Sequence, residues 1–183
     1  MLKYFARLVL KILGFKIEGQ YPYEHKKVIF AVVPHTSNWD FPLGILVKWA
    51  LSARINFIAK SSLFKWPYGW FFKYMGGIPV DRSKSQNTVQ AVAEAYNREE
   101  RLAIAIAPEG TRSKVDRLKR GFYFIAKLAE IPIVLVRFDY SKKTIHFDDP
   151  FFTTDDEEAD WKYIHSYFEG VKGKRAEKSF SQN

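Results

Sequence analysis

The chain of 183 residues contains no cysteine. Disulfide staples, thiolate zinc sites and cysteine nucleophiles are therefore excluded, and the redox compartment is left undetermined. Histidine is scarce, with four in all. None stands at a metal-ligand spacing, so no metal is expected. No apolar run reaches the ~18 residues of a bilayer-spanning helix. Acidic residues are in deficit, 20 against 29 Lys and Arg, for a formal net charge of +9. Repeats, low-complexity tracts and long internal linkers are also missing.

What is present is enough for one domain with a real core. Hydrophobic residues make up 47%, and a chain of this length buries roughly 70% of its unfolded surface. The basic balance points to an anionic partner: nucleic acid, a phospholipid surface or a phosphorylated substrate. Aromatic content of 17% suits single-stranded nucleic acid or a membrane interface equally.

Charge order narrows the choice. Within residues 1–14, Lys3, Arg7 and Lys11 recur every four positions, while Leu2, Phe5, Leu8, Val9, Ile12 and Leu13 cover most of the remaining surface. The segment is too short and too charged to span a bilayer. It also lacks the uninterrupted apolar region and cleavage site of a signal peptide. It reads as an amphipathic helix lying in a membrane plane, or as a helix packed on its own domain with a basic outer stripe. Phe64–Met75, where seven of twelve residues are aromatic, is a second candidate for a lipid interface or an acyl-chain groove.

Hydrophobic periodicity predicts strands at 28–33, 55–59, 78–80, 101–106, 131–137 and 144–147. Helices are predicted at 2–13, 39–52, 66–75, 86–98, 119–129 and 158–169. This alternation implies an α/β fold, a mostly parallel central sheet flanked by helices, with an N-terminal amphipathic helix. The organisation expected is a membrane-association helix at 1–14, a domain at 15–170 and a basic polar tail at 171–183, disordered or in electrostatic contact with membrane. The acidic run Asp155–Glu158 suits the start of the last helix.

Three short segments carry chemistry. His35 and Asp40 flank the turn between the first predicted strand and the next helix. Across such a turn the carboxylate can fold back onto one imidazole nitrogen, fix the tautomer and leave the other nitrogen to accept a proton. Most His–Asp pairs of this kind are ordinary surface contacts, so the pair gains meaning only from its company. Gly76–Arg82 places a guanidinium, Arg82, at a strand end, where it can grip a phosphate or pair with a neighbouring acid. Pro108–Arg112 follows another strand. A turn centred on Gly110 can form an anion-binding concavity, with Thr111 adding a hydroxyl and Arg112 a donor fork. Lys119 and Arg120 add positive field. Ordinary turn chemistry is the alternative for each.

Taken together, the sequence resembles the glycerol-phosphate and lysophosphatidic acid acyltransferase family. His35 and Asp40 match its H-x-x-x-x-D block, Gly76–Arg82 its G-x-I-x-x-D-R block, and Pro108–Arg112 its P-E-G-T-R block. Ile131–Val136 resembles its V-P-I-V-P-V block. Pro34 and Leu135 depart from the family pattern, which bears on acceptor choice. The resemblance implies transfer of a fatty acyl group from acyl-CoA or acyl carrier protein to a hydroxyl of a phosphorylated glycerol lipid such as lysophosphatidate. His35 would be the general base, oriented by Asp40. Arg82, Glu109, Gly110, Thr111 and Arg112 would bind and position the acceptor, with Glu109 holding an arginine or the turn. Backbone N–H groups near Gly110 are candidate oxyanion donors. The resemblance implies no cofactor beyond the donor itself, no nucleic-acid partner, and a peripheral location on an anionic membrane surface at its cytoplasmic face. The alternatives are an acyltransferase acting on another acceptor (an amino-acid lipid or other lysolipid), a hydrolase, and a non-catalytic basic membrane-binding module.

Overall fold

The strand Lys27–Val33 (β2) sits at the middle of a seven-stranded sheet because its side chains are apolar on both faces. Val28 and Phe30 pack on one side, Ile29, Ala31 and Val33 on the other. The computed structural model describes residues 1–80 and 85–181, the side chains of 85–87 excepted. The remaining strands are Lys16–Glu18 (β1), Asn56–Lys60 (β3), Gly77–Val80 (β4), Leu102–Ile106 (β5), Ile133–Asp139 (β6) and Thr144–Phe147 (β7), in the spatial order β1-β7-β6-β2-β5-β3-β4. Strands β2 to β6 run parallel, and β7 turns antiparallel onto β6. The mostly parallel α/β sheet expected from the sequence is what the chain forms.

Helices Leu2–Ile12 (α1) and Asp40–Ala50 (α2) cover one face through Ala6, Leu10, Leu43 and Val47. Helices Ser85–Arg98 (α4), Gly121–Ala129 (α5) and Glu157–Phe168 (α6) cover the other, with Tyr96, Phe122, Tyr123, Ile164 and Phe168 fully buried. Between them, Gly69–Tyr74 (α3) lies by the β3–β4 edge, where Phe72 meets Phe41 of α2 at 5.7 Å between ring centroids. Asp156 caps α6 by accepting the Ala159 N–H at 3.0 Å, so the acidic run does start that helix.

Three expectations are corrected. The helix expected over 66–75 is the shorter α3, Gly69–Tyr74, preceded by a separate 3-10 turn at Ser61–Phe64. Pro67 disfavours helical geometry at the residue before it, so the helix waits until Gly69. Strand β1 was not expected; among the described residues it pairs only with β7, at the sheet edge. The tail is not disordered where described: Val171, Ser179 and Phe180 are buried, and Phe180 joins the main core.

In α1 the bases share the outer surface with apolar residues: Arg7 and Lys11 are exposed and Lys3 is half-buried. Arg7 donates through Nε to the Ala50 carbonyl at 3.2 Å, while Ala6 and Leu10 make the buried face. Leu2, Phe5, Leu8 and Ile12 stand exposed. No helix among the described residues is long and apolar enough to cross a membrane.

Candidate active site

Strands β2 and β5 are neighbours, with Ala31 opposite Ile106. The chain leaves β2 for α2 on one face and β5 for α5 on the other, so a crevice opens between the two departing loops. His35 lies two residues past β2 and Glu109 three past β5. The same register therefore brings the first and third sequence blocks together.

Asp40 is the first residue of α2 and is buried. Its Oδ2 lies 3.2 Å from His35 Nδ1 and accepts the Ser37 N–H at 2.8 Å. Its Oδ1 accepts the Tyr140 hydroxyl at 2.8 Å. Burial by itself would raise the Asp40 pKa, but the hydrogen bonds from His35, Ser37 and Tyr140 outweigh it and hold the carboxyl below its ordinary value. An ionised carboxylate can only accept, so Nδ1 of His35 carries a proton, and in the neutral imidazole Nε2 presents a lone pair. His35 itself is half-buried and lines the cleft. Tyr140 was not singled out in the sequence; a hundred residues separate it from Asp40, and only the place of β6 beside β2 joins them.

Glu109 does not face the cleft. Its side chain is 2% exposed, and Oε2 accepts the backbone N–H of His35. Oε1 is buried without a hydrogen-bond partner among the described residues. Burial, with a smaller push from the Asp40 charge, raises its pKa to about 7 against the pull of the His35 amide. The carboxylate thus holds the turn that bears His35 rather than an arginine.

Gly110 adopts φ +66°, and a Cβ there would come within 2.7 Å of Lys119 Nζ. The positive φ calls for glycine, whereas the flexible Lys119 side chain can move aside. Its N–H donates to the Ala107 carbonyl at 3.0 Å, so that amide is already engaged and does not fit the expected oxyanion role. Thr111 and Arg112 are exposed and line the cleft with Gly110 and Lys119. Arg120 also reaches the cleft wall but is paired with Glu157 at 2.5 Å, its guanidinium 5.1 Å from the Trp161 ring centroid. Arg82 and its block from Asp81 onward lie outside the described residues.

The cleft encloses about 1380 Å³. Its walls differ in character. One carries Arg112 and Lys119, while the other runs between α2 and the sheet past Phe41, Gly44, Phe57 and Ala105. That second wall has room because β5 turns its large side chains, Leu102 and Ile104, toward the opposite core and only alanines toward α2. Lys48 enters this apolar part; burial lowers its pKa, and its ammonium donates to the Met75 carbonyl at 2.8 Å.

The family model for acyltransferases matches residues 14–139, which include the dyad, the Glu109 turn and the sheet that brings them together. The chain belongs to the acyltransferase family. Among its relatives, a 1-acyl-sn-glycerol-3-phosphate acyltransferase of Cocos nucifera is 30% identical over 137 residues, 70% of this chain and 43% of that protein. An enzyme of the same name from Limnanthes douglasii is 31% identical over 133 residues, 69% of this chain and 46% of its own. This acyltransferase chain thus spans less than half the length of those curated relatives. Its fold is shared with the crystal structure of the 1-acyl-sn-glycerophosphate acyltransferase PlsC from Thermotoga maritima. The TM-score is 0.58 at 19% identity, over 91% of this chain and 74% of that one.

Proposed function

We propose that this acyltransferase moves a fatty acyl group from acyl-CoA or acyl carrier protein to a free hydroxyl of a phosphorylated glycerol lipid such as lysophosphatidate. The observation that carries the reading is the His35–Asp40 pair, with Nε2 left free, set in a cleft that has an apolar wall and a cationic wall. The first suits an acyl chain, the second a phosphate.

In this reading His35 Nε2 takes the proton of the acceptor hydroxyl as that oxygen attacks the thioester carbonyl carbon. Asp40 stabilises the imidazolium that forms. Collapse of the tetrahedral intermediate breaks the C–S bond, the imidazolium returns its proton to the departing thiolate, and an ester and a free thiol result. Arg112, Thr111 and Lys119, with Arg82 beyond the described residues, hold the acceptor phosphate; Glu109 and Gly110 keep their turn in place.

Binding at the membrane is peripheral, through α1 and the α3 region, at the cytoplasmic face where the acyl donors are found. In its support, α1 exposes Leu2, Phe5, Leu8 and Ile12, with Lys3, Arg7 and Lys11 along one flank; Trp66, Trp70 and Tyr74 are exposed around α3.

The test is release of free thiol from acyl-CoA and, in parallel, from acyl carrier protein. It is run with lysophosphatidate, with a phosphate-free lysolipid and with no acceptor, for wild type and His35→Ala. Release that requires lysophosphatidate and drops about 10²- to 10⁴-fold in the variant is expected. Release with the phosphate-free acceptor alone reassigns the acceptor, and release without any acceptor makes the protein a hydrolase. Vesicle binding with no turnover under any of these conditions returns the reading to a non-catalytic module.

A further inference from the structure

Residues 171–180 leave α6 and double back across the end of the sheet beside His35, beyond the segment matched by the family model. Four consecutive residues there touch the turn that carries the dyad or the residue that supports it. The Lys172 carbonyl accepts the N–H of Tyr140, whose hydroxyl donates to Asp40. Gly173 is buried against Thr36, the residue after His35. A Cβ on it would stand 2.5 Å from Thr36 Oγ1 and 3.1 Å from Pro34 Cγ. The Lys174 ammonium lies 4.3 Å from the ring centroid of Trp39, the residue before Asp40. The Arg175 N–H donates to Thr36 Oγ1 at 3.2 Å.

The strap is itself fixed. Ser179 Oγ accepts the Gly173 N–H at 2.9 Å, and Phe180 is packed in the main core. Its four contacts therefore come from a segment anchored at both ends, by Val171 and by Phe180.

We infer that the strap Lys172–Arg175 is a positioning element of the active site. It presses the His35–Asp40 turn into place, and Gly173 and Thr36 are its contact pair. The inference rests on the acyl-transfer reading for its kinetic consequence, though not for its structural one. Misplacing a base by about 1 Å costs on the order of 100-fold in rate, and it does so without weakening substrates held elsewhere in the cleft.

The experiment uses the full chain and the variants Gly173→Ala, Thr36→Val and Thr36→Ser. Two quantities are read: steady-state kcat and KM for donor and acceptor, and the ¹⁵N NMR spectrum of the His35 imidazole. For Gly173→Ala and Thr36→Val, kcat should fall about 100-fold with both KM values within about twofold. Thr36→Ser, which keeps an oxygen for the Arg175 amide, should recover most of the rate. The imidazole spectrum should report a single Nδ1–H tautomer in wild type and a mixture in Gly173→Ala. Wild-type kcat and a wild-type imidazole spectrum in a folded Gly173→Ala protein would overturn the inference. Should that variant not fold, equal kcat in Thr36→Val and Thr36→Ser overturns it. Should wild type transfer no acyl group, the acyl-transfer reading fails by itself, and the imidazole spectra still decide for or against the strap.

Discussion

Replacing Glu109 by glutamine should change how stability depends on pH, because Glu109 acts in a direction opposite to that of carboxylates held ionised by hydrogen bonds or ion pairs. The folded protein keeps the Glu109 proton up to about pH 7, whereas the ordinary value is 4.5. Between those two values the folded state binds more protons than the unfolded one, so stability falls as pH rises. Below 4.5 nothing is lost, and above 7 the full cost is present, about 3 kcal/mol at 1.36 kcal/mol per pKa unit. Only part of that range is needed: from pH 5 to pH 8 the expected loss is about 2.5 kcal/mol. Asp40 does not blur the window. Its pKa is lowered, so its contribution is complete above the ordinary 3.8 and is lost only at lower pH, as the folded carboxyl protonates. Glutamine keeps an oxygen for the His35 N–H and removes the charge. Leaving its amide hydrogens where Oε1 has no partner among the described residues adds a cost that does not vary with pH. Urea unfolding of both proteins between pH 5 and 8 is the assay. The variant should gain about 2.5 kcal/mol on wild type across the range, equivalent to about 5–10 °C in Tm for a domain of this size. Two parallel curves would mean that Glu109 titrates as an ordinary surface acid, and the argument from its burial would be wrong.

Other parts of the site give separate outcomes. Arg112→Ala should raise the acceptor KM about tenfold or more with donor KM and kcat little changed, read by steady-state kinetics; an unchanged acceptor KM removes it from the phosphate wall. Gly44→Leu fills the space between α2 and the β5 alanines. Its Cβ meets nothing closer than Phe138 Cζ at 3.9 Å, so the fold should hold while long acyl donors are turned over at least tenfold more slowly than short ones in a chain-length series. The pair Leu8→Glu and Ile12→Glu, on the exposed face of α1, should leave Tm within a few degrees. Partition onto anionic vesicles should weaken about tenfold or more in a sedimentation assay.

The strands of the sheet interior were legible because each announces itself locally: Val28–Val33 and Ile133–Val136 are apolar on both faces, which parallel strands require. Strand β1 was not, since Lys16-Ile17-Glu18 offers one apolar residue and is defined by pairing with β7 from far along the chain. The tail misled for a related reason. Its composition is that of a solvated segment, yet Val171 and Phe180 suffice to anchor it where α6 ends beside the core. In α1 the periodicity was legible, but which face docks on the domain was not. The face that docks on α2 is the small one, Ala6 with Leu10, and size cannot be weighed against hydrophobicity until the partner helix is known.

The same division runs through the site. His35 and Asp40 were readable because one turn contains both, but what makes them a pair of defined chemistry comes from elsewhere: the Tyr140 hydroxyl, the Glu109 carboxylate and the Thr36–Gly173 contact. The two carboxylates illustrate why distance in sequence matters. Both are buried against the turn that carries His35, and residue type alone would give them the same charge. Asp40 receives three side-chain and backbone donors and stays ionised, whereas Glu109 receives one and keeps a proton up to about pH 7. That difference is functional in the proposed reaction. A charged Asp40 is needed to support the imidazolium, while a second full negative charge behind His35 would oppose the oxyanion that develops on the thioester carbonyl. Burying Glu109 with one oxygen unpaired among the described residues lets it hold the His35 amide while limiting negative charge beside that turn.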